Sequence, residues 1–448
     1  MTRSEGNRSE NRGRGNRQPR LLIYTANYWP EPTCFSPMTT DLAETLADGG
    51  WDVTVLTGFP MAPRWRVYDE YRSRLVMREL RNGVTILRAR QYVPRRPSNG
   101  LMPTWKRIAF DTSLVTSCLP IAWRARRPDV IVALGPPLQV GWAATFLGSV
   151  WGAPVLFWLQ DIVPDAAVNV GMLRNSRIIG WAQRLEKGLY RRVDRIGIIS
   201  KGFEKNLLAK GVDPQKLVPL PNWADFRRFE DLKSLDGSQT RRELGIGANE
   251  FVILHAGSIS AKQRLENLIR AMKLLEGDRV VRLLIAGDGT CIESVKREAQ
   301  NLGLKNVTFL STVPDSQFID RLRAADLHVI NQAGEIVDAL IPSKLLTYLP
   351  SERPVVAAVH PNSETAHFIT ASGCGVVVRP DSPADLASAI KALIAQPERR
   401  KELGLAGAEY LRQHLDRRII IERFRTTLLT MLADRGVGTS PATVSVNS

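Results

Sequence analysis

Thirty consecutive residues, Val130 to Leu159, carry no charged side chain. On hydropathy alone that length suffices for a membrane-spanning helix. "GPP" (135–137) and "GAP" (152–154) argue otherwise, because they cut the run into "VIVAL", a helix-length "LQVGWAATFLGSVW" and "VLFWL". The pieces read as strand, helix and strand of a parallel sheet covered on both faces, the setting in which strands are apolar throughout.

The same alternation fills the chain. Strands are predicted at 21–25, 52–57, 85–90, 130–134, 155–159 and 195–200, and a second series at 251–257, 282–289, 307–311, 327–331, 355–359 and 375–378. Amphipathic stretches separate them, so the fold class is α/β, with two Rossmann-like doubly wound parallel-sheet domains. The restart places a linker near 226–245, where "EDLKSLDGSQTRRELG" is polar. The domains expected are 20–225 and 226–415, flanked by a disordered basic arm (1–19), a C-terminal helix (416–436) free to return to the first domain, and a disordered tail (437–448). Two such sheets facing each other across a cleft would place their ligands at the carboxyl ends of the strands.

Composition narrows the partners. An apolar content of 44% and a charged content of 24% fit a globular chain of 448 residues with two cores. The 61 Lys and Arg against 45 Asp and Glu give a formal charge of +16, which suits polyanions: phosphorylated substrates, an anionic membrane surface or nucleic acid. Nucleic acid is disfavoured, since no RNP, KH or helix-turn-helix pattern occurs. Four cysteines without a C-x-x-C pair point to reduced thiols in the cytoplasm, as does the lack of an apolar leader segment. Five histidines in no ligating pattern argue against a metal site.

Candidate chemistry sits just after strands. In "IPSKLLTYL", Pro342 suits a first helical turn, and Lys344 adds a cation where free N–H groups could hold a phosphate. A solvent-facing lysine is the plain alternative. "LHAGSISAKQRLENLI" ends a strand at Gly257, where a backbone can approach closely, with Lys262 and Arg264 placed to straddle a diphosphate. "AGDG" repeats the junction at Gly287. "WLQDIVPD" sets Gln160, Asp161 and Asp165 past another strand end, Asp165 being equally a helix cap. In "NYWPEPTCFSPM", Ser36 is the expected N-cap of a helix that Gly49 would stop. Between Pro94 and Pro128, Trp, Leu and Phe mix with basic residues, as on a membrane surface or on a core helix with cationic ends.

In order, "NYWPEPT", "GFPMAP", "QDIVPD", "LPNWAD", "AGSISAKQRLENLI", "AGDG" and "IPSKLLTYLPSERPVVA" resemble the retaining GT-B glycosyltransferases of family 4, in particular those of bacterial exopolysaccharide, colanic acid and O-antigen synthesis. The likeness runs from about Leu21 to Arg435. It implies a UDP- or GDP-sugar donor held by the second domain and a lipid-linked saccharide acceptor at the first, with no metal and no further cofactor, on the inner face of the cytoplasmic membrane. Lys262, Lys344, Asp161 and Asn222 match residues of the family's motifs. The expected catalytic residues are Asp161, Lys262 and Lys344; Gly257, Ser258, Arg264, Gly287, Glu335, Asp338, Pro342, Ser343 and Thr347 are expected at the donor, and Thr33, Gln160, Asp165 and Asn222 at the acceptor. The sequence departs from the family in four places. Ser258 replaces an arginine, Gln160 a histidine, Cys34 and Phe35 the glycine usual after "PEPT", and Ala339 and Thr347 stand where an E-x7-E pair is usual, with Glu335 and Asp338 nearby. The alternatives in other classes are a nucleotide-sugar epimerase of the same shape and a non-enzymatic nucleic-acid-binding protein.

Overall fold

The computed structural model describes residues 17–32, 35–63, 65–94, 103–162, 165, 176–276, 281–311, 313–337 and 343–437. The proposed arm and tail therefore fall outside the described residues, apart from 17–19 and 437. The chain divides into two compact units, one comprising 1–199, 203–220 and 421–448, the other 200–202 and 221–420.

The first unit holds β1 (Arg20–Tyr24), β2 (Asp52–Gly58), β3 (Val76–Arg81), β4 (Val84–Ala89), β5 (Val130–Gly135), β6 (Val155–Leu159), β7 (Arg195–Ile198) and β8 (Leu217–Pro219), in the order β3-β4-β2-β1-β5-β6-β7-β8. All neighbours pair in parallel except β3 and β4. The uncharged run is indeed β5, the helix Leu138–Trp151 and β6, with every residue of both strands buried. Among the described residues no helix is long and apolar enough to cross a membrane.

Sequence reading overlooked two strands, both at sheet edges. Half-exposed β3 alternates charge with apolar residues in "VMRELR", and three-residue β8 is too short to show a period. Ser36 proves to be the first residue of the helix Ser36–Asp48 rather than its cap; Phe35 precedes it, and Thr39 Oγ1 donates to the Phe35 carbonyl at 2.8 Å. The helix Arg417–Ala433 brings the chain back to the first unit. There Phe424 meets Trp158 edge-on at 4.7 Å, and Arg435 pairs with Asp194 at 2.8 Å.

The second unit is a six-stranded, wholly parallel sheet. It comprises β9 (Phe251–Ala256), β10 (Val281–Ala286), β11 (Val307–Leu310), β12 (Leu327–Asn331), β13 (Val355–Ala358) and β14 (Gly375–Val378), ordered β11-β10-β9-β12-β13-β14. Chain direction across the sheet reverses between β9 and β12. In doubly wound sheets that reversal opens a crevice past the strand ends in which ligands bind. The strands flanking it are buried along their whole length, so the loops leaving them rest on a rigid base.

Candidate active site

Lys344 lies at the start of the short helix Ser343–Tyr348, which is fastened to the end of β9. The fastener is Tyr348, whose hydroxyl donates to the Ala256 carbonyl at 2.5 Å and accepts the Ala256 N–H at 2.7 Å. The Lys344 stem then passes over Gly257. With φ at +134°, Gly257 has a backbone that side-chain-bearing residues avoid, and an added Cβ would lie 2.7 Å from Lys344 Cε. Glycine at that position thus gives the lysine its path.

The Lys344 ammonium stops 3.1 Å from His255 Nε2, while His255 Nδ1 lies 3.1 Å from the Val329 carbonyl. A carbonyl only accepts, so Nδ1 carries the hydrogen and the Nε2 lone pair faces the ammonium. Burial, and then the Lys344 charge, press the His255 pKa well below its usual value. It is a neutral acceptor in the middle of a core strand. Lys344 is half-buried by surface area yet densely surrounded, and desolvation lowers its pKa to about 7. Among the described residues Lys344 forms no ion pair.

The adjoining loops are built by backbone contact. Gly287, at φ +148°, puts its missing Cβ 1.9 Å from the Gly257 carbonyl oxygen, so the loops after β9 and β10 touch main chain to main chain. The Ile259 N–H donates to the Asp288 carbonyl at 3.0 Å, closing the same seam. Gly287 therefore shapes the site through packing. At the end of β12, Asn331 Nδ2 donates to the Gln263 and Arg264 carbonyls at 2.7 and 3.0 Å, and its Oδ1 accepts from Asn267 at 2.7 Å. That clamp fixes the loop carrying Lys262, whose side chain is exposed.

Arg264 stands otherwise than the sequence suggests. It sits at φ +40° and reaches Glu335 at 2.9 Å and Asp381 at 3.1 Å, and Asp381 also accepts the Gly334 N–H at 2.8 Å. Two carboxylates already occupy the guanidinium, so it orders the loop after β12 rather than standing open beside Lys262. Ser258 and Ser343 are exposed near Gly257 and Lys344 in sequence, and Thr347 Oγ1 donates back to the Ser343 carbonyl at 3.0 Å. Asp338 and Pro342 lie outside the described residues, as does Thr33.

The remaining candidates are divided between the units. Gln160 is buried at the end of β6, its N–H donating to the Gly135 carbonyl at 2.7 Å, and Asp161 follows half-buried. Asp165 caps nothing that is described. It pairs with Lys210 at 3.0 Å and accepts from Asn206 at 2.8 Å, beside buried Glu186, which Lys210 also meets at 2.9 Å. Asn222 belongs to the second unit and is half-buried. Two quoted motifs join through Glu31: its carboxylate accepts the Met61 and Ala62 N–H groups at 2.7 and 2.8 Å and Asn27 Nδ2 at 2.8 Å. His255, Asn331, Asp381 and Glu31 were not singled out from sequence. For His255 and Asn331 the usable signal was a polar residue inside or ending an apolar strand, as in "VILHA" and "LHVIN"; Asp381 and Glu31 lie in loops, outside that pattern. Among the described residues, no three His, Cys, Asp or Glu side chains gather in a way that could hold a metal ion.

Two α/β units, the second with Lys344 and Gly257 at the switch point of its parallel sheet, have the GT-B fold. Solved structures agree on the fold: sucrose-phosphate synthase of Thermosynechococcus elongatus superposes with a TM-score of 0.71 at 16% identity over 93% of this chain and 100% of that one. Anabaena HepE, solved in complex with UDP and glucose, gives 0.66 at 18% identity over 92% of this chain and 100% of that one. Residues 36–223 match the model of the glycosyl transferase 4-like domain, and residues 236–410 match glycosyl transferases group 1. The chain belongs to the family 4 glycosyltransferases. It is 28% identical over 411 residues, 90% of this chain and 98% of the relative, to WcaI of Escherichia coli, to which a glycosyl transfer role in colanic acid biosynthesis is ascribed. It is also 28% identical over 286 residues, 60% of this chain and 59% of the relative, to a D-inositol 3-phosphate glycosyltransferase of Geodermatophilus obscurus.

Proposed function

We propose that the chain transfers a sugar from a UDP- or GDP-sugar to a lipid-linked saccharide in cell-surface polysaccharide synthesis. Transfer retains the anomeric configuration, needs no metal ion or other cofactor, and takes place at the inner face of the cytoplasmic membrane. The observation that carries the reading is Lys344, an ammonium without a carboxylate partner among the described residues, held against neutral His255 at the switch point. The bond from the anomeric carbon to the diphosphate oxygen breaks, and the acceptor oxygen bonds to that carbon on the same face. The acceptor proton passes to the departing diphosphate. Lys344, with Lys262 on the neighbouring loop, stabilises the charge that develops there, the task a divalent ion performs elsewhere. Past the end of β6, Asp161 is the catalytic carboxylate beside the acceptor and Gln160 binds an acceptor hydroxyl. The relation to a colanic acid enzyme supports the polysaccharide setting.

The test is calorimetric titration of the chain with UDP, GDP, CDP and their sugars, with and without EDTA, on wild type and Lys344→Met. One nucleotide should bind, EDTA should not weaken it, and the variant should lose at least tenfold, the usual scale for removing a charge-assisted contact. Binding that vanishes in EDTA would refute metal independence. The anomeric proton signal of the product then decides retention.

A further inference from the structure

In the first unit the helices Thr104–Ala122, Leu138–Trp151 and Ser176–Arg192 form one layer. Trp123, just past the first, meets Trp151 of the second at 5.7 Å, and Arg192 of the third lies over Trp142 of the second at 4.8 Å. Their inner faces are core. Within the stretch from Pro94 to Pro128, Phe110, Leu114, Cys118 and Ile121 are buried and belong to that core. The outer faces are unlike an ordinary soluble surface. Ile178, Trp181 and Leu185 follow one another at helical spacing on the third helix, and Trp181 is 62% exposed. Phe146 and Val150 stand out from the second helix, and Trp105, 64% exposed, and Ile108 from the first.

The charges on this layer are of one sign. The three helices carry Lys106, Arg107, Arg177, Arg184, Lys187, Arg191 and Arg192 against two acids, Asp111 and Glu186. Both acids are buried, Asp111 beside Arg107 and Glu186 beside Lys210. No carboxylate of the three helices is exposed. A second copy docked through the same face would set cations against cations, because a two-fold interface repeats its own surface. A nucleic acid would answer the charge but leave Ile178, Leu185 and Val150 without a use. An anionic bilayer answers both, with headgroups for the arginines and the acyl boundary for the tryptophan and aliphatic side chains.

We propose that the outer face of these three helices, centred on Trp181 and Leu185, docks the enzyme onto an anionic phospholipid surface. The role of that docking rests on the reading of a lipid-linked acceptor; the docking itself does not. The test is sedimentation of the full chain with vesicles of phosphatidylcholine, alone or with one part in three of phosphatidylglycerol, with no donor or acceptor saccharide present. Failure here consequently leaves the transferase reading standing, and failure of nucleotide binding leaves this one standing.

Wild type should partition onto the anionic vesicles only, and added salt should weaken it. Arg184→Gln with Arg191→Gln should lower partitioning on the order of tenfold or more, at roughly fivefold per cation. Trp181→Ser with Leu185→Ser should do the same with the charge unchanged, while Leu405→Ser, an exposed leucine of the second unit, should have no effect. Circular dichroism melting and nucleotide titration of each variant report that both units remain folded. Three results overturn the proposal: no vesicle binding by wild type, equal binding by the Trp181/Leu185 double variant, or a wild-type dimer that this variant makes monomeric without vesicle binding at any lipid concentration.

Discussion

Lys344 should make donor binding take up a proton. Free in the fold, its pKa is about 7 because burial penalises the ammonium. A diphosphate within reach favours the charged form and returns the pKa toward its ordinary value of 10.5. The ligand therefore binds the protonated chain more tightly. Affinity should be greatest below pH 7 and fall toward tenfold per pH unit above it. Uptake should be about 0.5 proton at pH 7 and about 0.9 at pH 8, from the fraction of free Lys344 that must be recharged.

The groups facing the ammonium leave the assignment clear. His255 is held neutral by burial, the Tyr348 hydroxyl is bound to the Ala256 backbone and its pKa is pushed up by burial, and Ser258 does not titrate. A nucleotide sugar is the right ligand, since its diphosphate stays fully ionised across the range. Calorimetry in buffers of different ionisation enthalpy counts the protons directly. Affinity independent of pH between about 6 and 9, or the same uptake in Lys344→Met, would refute the reasoning.

The free chain should show the opposite trend. For a base whose pKa falls on folding, the unfolded state binds more protons between the two values, so this residue's contribution to stability rises with pH from about 7 to 10.5. Below pH 7 the shift corresponds to an upper bound of about 4–5 kcal/mol, less as water reaches the half-buried side chain. Lys344→Met should accordingly melt higher than wild type at pH 7 while losing the donor, a site that trades stability for function.

Gly257→Ala should keep the fold with a penalty of about 1–2 kcal/mol and weaken donor binding, because the atoms nearest its Cβ belong to the movable Lys344 stem; Gly287→Ala should lower the melting temperature much further, because its Cβ meets the Gly257 carbonyl at 1.9 Å. Lys210→Met should destabilise the chain at pH 7 by roughly 3 kcal/mol by leaving buried Glu186 unpaired, and denaturant titration should recover part of the loss at acid pH. Glu186 already has a raised pKa, chiefly from burial, so its neutral form is preferred in the fold and that preference is lost as pH rises through the folded value. Glu31→Gln should loosen the loops after β1 and β2, since one carboxylate oxygen accepts both the Met61 and Ala62 N–H groups; a loss of about 1–2 kcal/mol in chemical denaturation is expected.

The sheets were legible because burial on both faces writes itself as short apolar runs; in the second unit a strand overlaps every predicted span. What escaped was what packing does not write. Strand β3 borders solvent and carries charges, and β8 is three residues long. In the site, Lys344 and Gly257 could be found because a lysine at a helix start and a glycine at a strand end are visible one residue at a time. The contact between His255 and Lys344 joins positions 89 apart in sequence, and that between Arg264 and Asp381 joins positions 117 apart. Neither leaves a local pattern.

The Arg264 pairing bears on what replaces the missing glutamates. Thr347 has no carboxylate to offer a donor sugar, and its hydroxyl is satisfied within its own helix. Glu335, four residues before Ala339, is bound to Arg264 through an exposed pair, and such pairs contribute about 0–1 kcal/mol. A weak pair can open when a sugar hydroxyl competes for the carboxylate, whereas Asp381 is tied down a second time by the Gly334 N–H. Glu335 is thus the acid available for exchange and Asp381 the anchor that keeps Arg264 in place. Glu335→Gln should weaken binding of the nucleotide sugar while leaving the nucleoside diphosphate almost unaffected. Asp381→Asn should weaken both, because it frees the loop that carries Glu335 and the arginine that follows Lys262. Equal losses for sugar and diphosphate in Glu335→Gln would place the carboxylate outside sugar recognition and leave the sugar to residues that follow Val337.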